Sequence, residues 1–514
     1  MQNYESTKGW SIVKKVCALL CIVMILFTAV GCEEKTEQKD VVTLSWWVPM
    51  LQHVEKTSSN FAENEMYKEL MERTGTNIEF IHPKGGETFE VLLMSNDLPD
   101  IIEYSFFSFK GGPQAALDQN FIIGLDSFLE KYSPNYAKVL KENPSWDSEV
   151  TTENGSHYTY AWIRGDESLL YWKGLQIRTD LLEQAGLPVP ETIAQWDVTL
   201  RKFKEMGIKY PLTYRWSFGV SDPFGSAYNT LSGYYEVDGV VKFSPFEEGY
   251  KKYIELLHSW YRDGILDPDA LTQSDELFES KLMSGQVGAY MGTLGGNLGN
   301  CLPELKKKGA GIVAAPTPVM NQGDVVFQSQ RDSFYQPSTS VSISRDCENI
   351  EAAARLLDYG YSEEGHLLYN FGIEGVSYEM VDGYPRYLPE ITNNSDGLSM
   401  QHAMSKYMAS AYGGPFIQDK REYEQYLRYP EQKYAVELWS KETGDHKLPQ
   451  NVIFSPELES KDSQIRAYCS RMLTKFITGE IPMAEYDSFI NDLKLLGVEE
   501  IISSKQESLD KYNE

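Results

Sequence analysis

Val41-Val42-Thr43-Leu44-Ser45-Trp46-Trp47 is a run dominated by β-branched and aromatic residues, and such a run reads as a buried strand. A helical stretch follows from Ala62 to Thr74, stopped by Gly75. Asn77 to Ile81 reads as a second strand. A further helix ends near Ser95-Asn96-Asp97, and Leu98-Pro99-Asp100-Ile101-Ile102-Glu103 reads as a third strand. This β-α-β-α-β rhythm predicts a mainly parallel sheet covered by helices, because parallel neighbours need a crossover connection.

Upstream lies a leader. Lys8, Lys14 and Lys15 give it a basic start, Val16 to Val30 is apolar or small throughout, and the run ends at Ala29-Val30-Gly31-Cys32. That pattern predicts a secretory signal over residues 1–31; a membrane-spanning helix needs about 20 apolar residues. The small-Val-Gly-Cys ending resembles the lipobox of bacterial lipoproteins, with Ala29 where leucine is commoner. The resemblance implies an acylated Cys32 and a protein held at the outer face of the cytoplasmic membrane. Residues 32–40 read as a polar, flexible tether. An uncleaved anchor and a plain cleaved signal stand as alternatives.

Downstream, Glu153-Asn154-Gly155 marks a hairpin turn. A second α/β series begins at Gly174-Leu175-Gln176-Ile177-Arg178. Helices are predicted over Thr179–Ala185, from Thr192 through Met206, and over Phe246–Asp263 and Asp275–Ser284. Val287 to Met291 is a strand, Thr339 to Ser344 another, and Ile350 to Gly360 a helix; the last 115 residues are mostly helical. The chain therefore reads as two α/β lobes with a helical C-terminal portion, and ligands in such folds sit beyond the carboxyl ends of strands. The expected division places 41–158 with 335–385 in lobe 1, and 159–334 with 386–514 in lobe 2.

Apolar residues make up 42% and aromatics 13% of the chain, enough for a real core, which excludes disorder. The net charge of −28 repels phosphate backbones and argues against a nucleic-acid partner. Past the leader, no segment approaches a membrane span. Cys301, Cys347 and Cys469 are too few and too scattered for a disulfide framework or a metal site. Free buried thiols are expected, with a single bridge left open. No Gly-x-Ser-x-Gly or His-Glu-x-x-His run is present, the seven histidines are dispersed, and neither a metal nor a cofactor is expected.

Five blocks resemble family 1 of the extracellular solute-binding proteins, in family order. They are Asn96 to Ile102; Gly174 to Lys204 with its Gly-Leu-Pro-Val-Pro-Glu-Thr stretch; and Trp260-Tyr261-Arg262-Asp263-Gly264-Ile265-Leu266-Asp267-Pro268 followed by Phe278 to Met291. The fourth runs from Leu357 through Tyr369-Asn370-Phe371-Gly372-Ile373-Glu374-Gly375, and the last is Lys475 to Glu480. The resemblance implies a two-lobed, type II periplasmic-binding-protein-like fold with a hinge, no cofactor, no enzymatic activity, and an ABC permease as partner to a monomer. Each block also has a structural reading. Asp267-Pro268 starts a turn, Gly285 stops a helix, and Phe278 and Val287 are core residues.

An oligosaccharide is the expected solute, since sugars offer apolar faces ringed by hydroxyls to aromatic platforms and short polar groups. Candidates at strand ends are Trp46, Trp47, Asp100, Glu103 and Tyr104 from the first lobe. Arg215 and Trp216 follow Pro211-Leu212-Thr213, Asn297 lies in the Gly292–Gly299 loop, and Arg331, Asp332 and Tyr335 precede a strand near the lobe crossing. The glycine-rich loop reads as approaching something closely, and it is no phosphate loop because no Lys-Ser/Thr follows. A peptide or acidic sugar as solute, a polysaccharide-cleaving enzyme, and a lipoprotein sensor or adhesin remain as alternatives.

Overall fold

The computed structural model describes residues 41–84, 89–94, 97–220 and 223–513. The predicted leader (1–31), Cys32 and the tether (32–40) lie outside them, as does Asn96. Along the chain come β1 (Val42–Trp47), β2 (Thr76–Ile81), β3 (Ile101–Glu103) and β4 (Tyr160–Arg164). Next are β5 (Lys173–Arg178), β6 (Tyr210–Thr213), the hairpin β7 (Tyr234–Val237) and β8 (Val240–Phe243), β9 (Val287–Thr293) and β10 (Ile312–Ala314). The set ends with β11 (Tyr335–Ile343), the hairpin β12 (Tyr378–Val381) and β13 (Tyr384–Tyr387), and β14 (Ile417–Gln418). Two larger sheets result, β14-β4-β11-β3-β1-β2 and β10-β5-β9-β6, one for each lobe of the expected α/β fold.

The sheets are mixed rather than mainly parallel. β1 and β3 run parallel, with Trp46 opposite Ile101, but β11 is antiparallel to β3 and β4. β5 is likewise antiparallel to β9 and β10. Lobe crossing explains this. The chain leaves lobe 1 from the carboxyl end of β4 and returns through 315–334 into β11, entering at the edge where β3 and β4 end. A strand that enters where its neighbours leave must run against them.

Sheet membership also moves two expected boundaries. The one at 158/159 falls before β4, a strand of the six-stranded sheet, so the crossing shifts to 165–172. The one at 385/386 falls too early, because Ile417 of β14 pairs with Ile163 of β4. Helix Met400–Tyr407 also packs against Glu65–Thr74 of the first lobe. The third crossing runs through helix Lys420–Tyr426 to helix Pro430–Trp439, which packs on β10. Thr43–Glu514 is one unit by its backbone contacts, so the lobes are halves of a single body.

Local signals fix helix ends. The Thr192 hydroxyl accepts from the Gln195 amide while the Gln195 side chain accepts from the Thr192 amide, a capping box that starts Ile193–Glu205. Gly186 and Gly285 end Thr179–Ala185 and Asp275–Ser284 in the left-handed conformation. The helix expected over Ala62–Thr74 is divided, because Asn64 caps Glu65–Thr74 through the Met66 amide after a short turn at Phe61–Glu63. The third strand starts at Ile101, not Leu98. Before it, Asp100 turns its carboxylate back onto the Ser45 amide and hydroxyl at 2.8 and 2.7 Å.

In the second lobe, Trp196, Phe203, Leu257 and Trp260 share a core with Ile465, Leu473, Phe476 and Phe489, so the C-terminal helices pack on that lobe. Phe278 and Val287 are buried as the core reading requires, and the three cysteines are buried and free. Gly174 is required by packing: a β-carbon there would stand 2.3 Å from the Trp439 ring. Trp439 in turn donates its Nε1 hydrogen to the Ala315 carbonyl at 2.9 Å, tying the third crossing to the second.

Candidate ligand site

Strand direction sets which edges face the crossings. β1, β3 and β4 end at Trp47, Glu103 and Arg164. In the second lobe Lys173, the first residue of β5, pairs with Thr293, the last of β9. β6 runs parallel to β9, so Thr213 ends at that same edge. Two cavities each draw walls from both lobes, with Lys173, Arg215 and Asn297 supplied at or just beyond that edge of the second lobe.

The first cavity encloses about 520 Å³. Ser148 and Glu149 come from lobe 1, Lys173 and Gly219 from lobe 2, Arg331 and Asp332 from the second crossing, and Asp445, Lys447 and Gln450 from the irregular segment after the third. Asp332 is held firmly: it accepts from Trp172 Nε1 at 2.7 Å and pairs with Arg164 at 3.2 Å. Burial opposes its ionisation, but Arg164 and the indole outweigh burial and hold the carboxyl below its ordinary range. Arg331 pairs with Glu167 at 3.2 Å, and its carbonyl accepts from the Lys447 ammonium. Glu149 accepts from the Tyr335 amide at 2.8 Å, and burial raises its carboxyl. The lining sets charged and polar groups able both to donate and to accept beside apolar surface from Val220, Leu448 and Pro449, as hydroxylated solutes with apolar faces require.

The second cavity is wider, about 970 Å³. Arg215 and Asn297 line it from lobe 2, with His53, Asn393 and Gln401 opposite in lobe 1. Arg215 is clamped by Asp275. The Asn297 side-chain oxygen accepts from the Thr293 amide and hydroxyl at 2.9 and 3.1 Å, which shapes the glycine-rich loop. What that loop approaches is the protein's own Tyr426: a β-carbon on Gly295 would stand 2.1 Å from its ring.

Four of the eleven expected site residues therefore line cavities: Arg215 and Asn297 in one, Arg331 and Asp332 in the other. The rest serve the core or its margin. Trp46 is fully buried between Tyr67 and Phe80. Trp47 packs on Phe89, and Tyr104 stacks on the same ring at 3.9 Å. Asp100 serves Ser45. Glu103 is buried, and desolvation pushes its carboxyl well above the usual range. Trp216 is buried, and the Tyr335 hydroxyl meets Ser340 and Tyr158 inside the sheet at 2.8 and 3.1 Å. Sequence reading missed Glu149, Lys173, Lys447 and Gln450. The one available signal was Gly444-Asp445-His446-Lys447-Leu448-Pro449-Gln450-Asn451, a polar stretch without periodicity of the kind that carries function on loops. Among the described residues no cluster of His, Cys, Asp or Glu is placed to hold a metal, and no helix is long and apolar enough to cross a membrane.

Comparison with solved structures supports the fold. The alginate-binding protein AlgQ2 superposes with a TM-score of 0.73 at 17% identity, covering 92% of this chain and 98% of that one. An HMO-binding, ABC-transporter-associated solute-binding protein from Bifidobacterium longum infantis gives 0.74 at 19% identity, covering 92% and 99%. By sequence, the fructooligosaccharide ABC transporter substrate-binding protein FusA of Streptococcus pneumoniae is 24% identical over 252 residues, 44% of this chain and 46% of that protein, so the match spans about half of the relative's length. The model of the bacterial extracellular solute-binding proteins, a family of binding proteins and not of enzymes, matches residues 56–366, well over half of the sequence, and the chain belongs to that family.

Proposed function

We propose that the protein is the lipid-anchored solute-binding component of an ABC importer and takes an extracellular oligosaccharide between its lobes. The observation that carries this reading is the polar cavity at the crossings, walled by both lobes in a chain of this family. A relative matched across just under half of its length is described as a fructooligosaccharide transporter's substrate-binding protein, and that supports a sugar as solute. Arg331, Asp332 and their neighbours are the proposed contacts, with Arg215 and Asn297 at a wider mouth. Cys32 is the proposed lipid attachment point, which leaves the described residues outside the cell and within reach of a permease. Two acyl chains bind a membrane durably where one does not.

The test is a thermal-shift screen of the purified protein against oligosaccharide and peptide pools. A solute that binds only the folded state adds about 2.7 kcal/mol of stability at a hundredfold excess over Kd. A rise in Tm with a saccharide and none with peptides is the expected result. A rise with peptides alone removes the sugar. Labelling of the expressed chain with a palmitate analogue, lost in Cys32→Ala, checks the anchor.

A further inference from the structure

In the 520 Å³ cavity nearly every charge already has a partner: Asp332 holds Arg164, Arg331 holds Glu167, Glu149 takes the Tyr335 amide, and Asp445 takes the Gln328 side chain at 3.3 Å. Lys173 is the exception. Its ammonium stands 4.8 Å above the Trp172 ring and has neither an ion pair nor a hydrogen bond among the described residues. A half-buried cation without a partner is costly unless something else supplies one. A charged donor without an anionic partner on the cavity wall marks what that cavity is built to receive.

We propose that the solute is an acidic oligosaccharide whose carboxylate pairs with Lys173. This rests on the binding-protein reading above and narrows it to one class of saccharide. The Trp172 ring, over which the ammonium sits, holds the lysine stem in place by a cation–π contact. Burial also pushes the Lys173 ammonium below its ordinary range. An arriving carboxylate opposes that effect, because an opposite charge nearby favours the ammonium.

The experiment is calorimetry of the mature chain with uronate oligosaccharides, each beside its carboxyl-reduced neutral counterpart of the same linkage and length. The uronate arm is expected to bind at least tenfold more tightly than the neutral arm, with an affinity that falls as salt rises. Lys173→Gln is expected to abolish that preference and Lys173→Arg to keep most of it. Because the charge is unpaired in the free protein, Lys173→Met is expected to melt no lower than the wild type without ligand, while losing the ligand-induced rise in Tm. Equal binding of the two arms, or a preference that survives Lys173→Gln, overturns the acidic solute and leaves the binding protein standing. Failure of both arms, together with neutral oligosaccharide pools, overturns the saccharide reading itself.

Discussion

In the second lobe, the Lys281 ammonium lies 2.6 Å from Asp267 and 2.7 Å from Asp269, and the Thr213 hydroxyl donates to Asp267 at 2.6 Å. The Lys281 and Asp267 side chains are 4% and 0% exposed. Such a pair adds little over a well-packed apolar replacement, but removing one partner strands a buried charge. Lys281→Met is therefore expected to lower stability by about 3–5 kcal/mol in urea titrations, and Lys281→Met with Asp267→Leu to recover much of it. A second buried group makes stability depend on pH. Glu422 is 2% exposed, and burial pushes its carboxyl up to about 8, with Gln418 donating to it at 3.1 Å. Between its ordinary 4.5 and that value the folded state binds the extra proton, so rising pH costs stability, up to about 5 kcal/mol above pH 8. Glu422→Gln is expected to flatten the fall in urea midpoint between pH 5 and 8. The buried pair was not legible in the sequence, where Asp267 read only as a turn former, nor was the burial of Trp46 and Glu103, which read as cleft residues. Residue type at a strand end does not tell which face the side chain takes, and both chains turned inward.

Helix Glu459–Thr478 is the element that joins the C-terminal portion to the second lobe. It lies on Glu248–Arg262, with Cys469, Leu473 and Phe476 entering the core that holds Leu257 and Trp260. Phe476 is fully buried and meets Tyr486 and Phe489 at 5.5 and 5.7 Å between ring centres. Phe476→Ala is expected to cost about 3–5 kcal/mol, and Thr192→Ala, which removes a cap but no core contact, about 1 kcal/mol. Thermal and urea denaturation separate the two. Helices of this kind were readable because caps and apolar spacing act locally: Thr192, Gly186 and Gly285 stand where the sequence places them. The strands β4, β6, β10 and β14 were not. They are two to five residues long and β4, β6 and β10 are mostly buried, so no in-out alternation announces them. Their pairing is decided by segments far away in the chain.

At the scale of the whole molecule, that long-range pairing makes the lobes inseparable. β11 lies between β4 and β3, so the first lobe's sheet cannot close until the chain has built the second lobe's sheet and come back. A fragment of residues 41–330 keeps β1 to β4 but lacks β11 and β14, which leaves β3 with one unpaired edge and β4 with no partner strand at all. Open edges of this kind carry unsatisfied backbone groups and invite association between chains. The fragment also lacks Ile465, Leu473, Phe476 and Phe489, which the second lobe's core needs. It is expected to show no cooperative thermal transition by circular dichroism and to elute from a sizing column as aggregate, whereas residues 41–514 melt cooperatively. Adding back 331–514 on a second plasmid supplies both the missing strands and the missing helices, and is expected to return soluble material. A fragment 41–330 that melts sharply as a monomer would mean that β1 to β4 pair without β11, and that the lobes fold in sequence order rather than through their crossings.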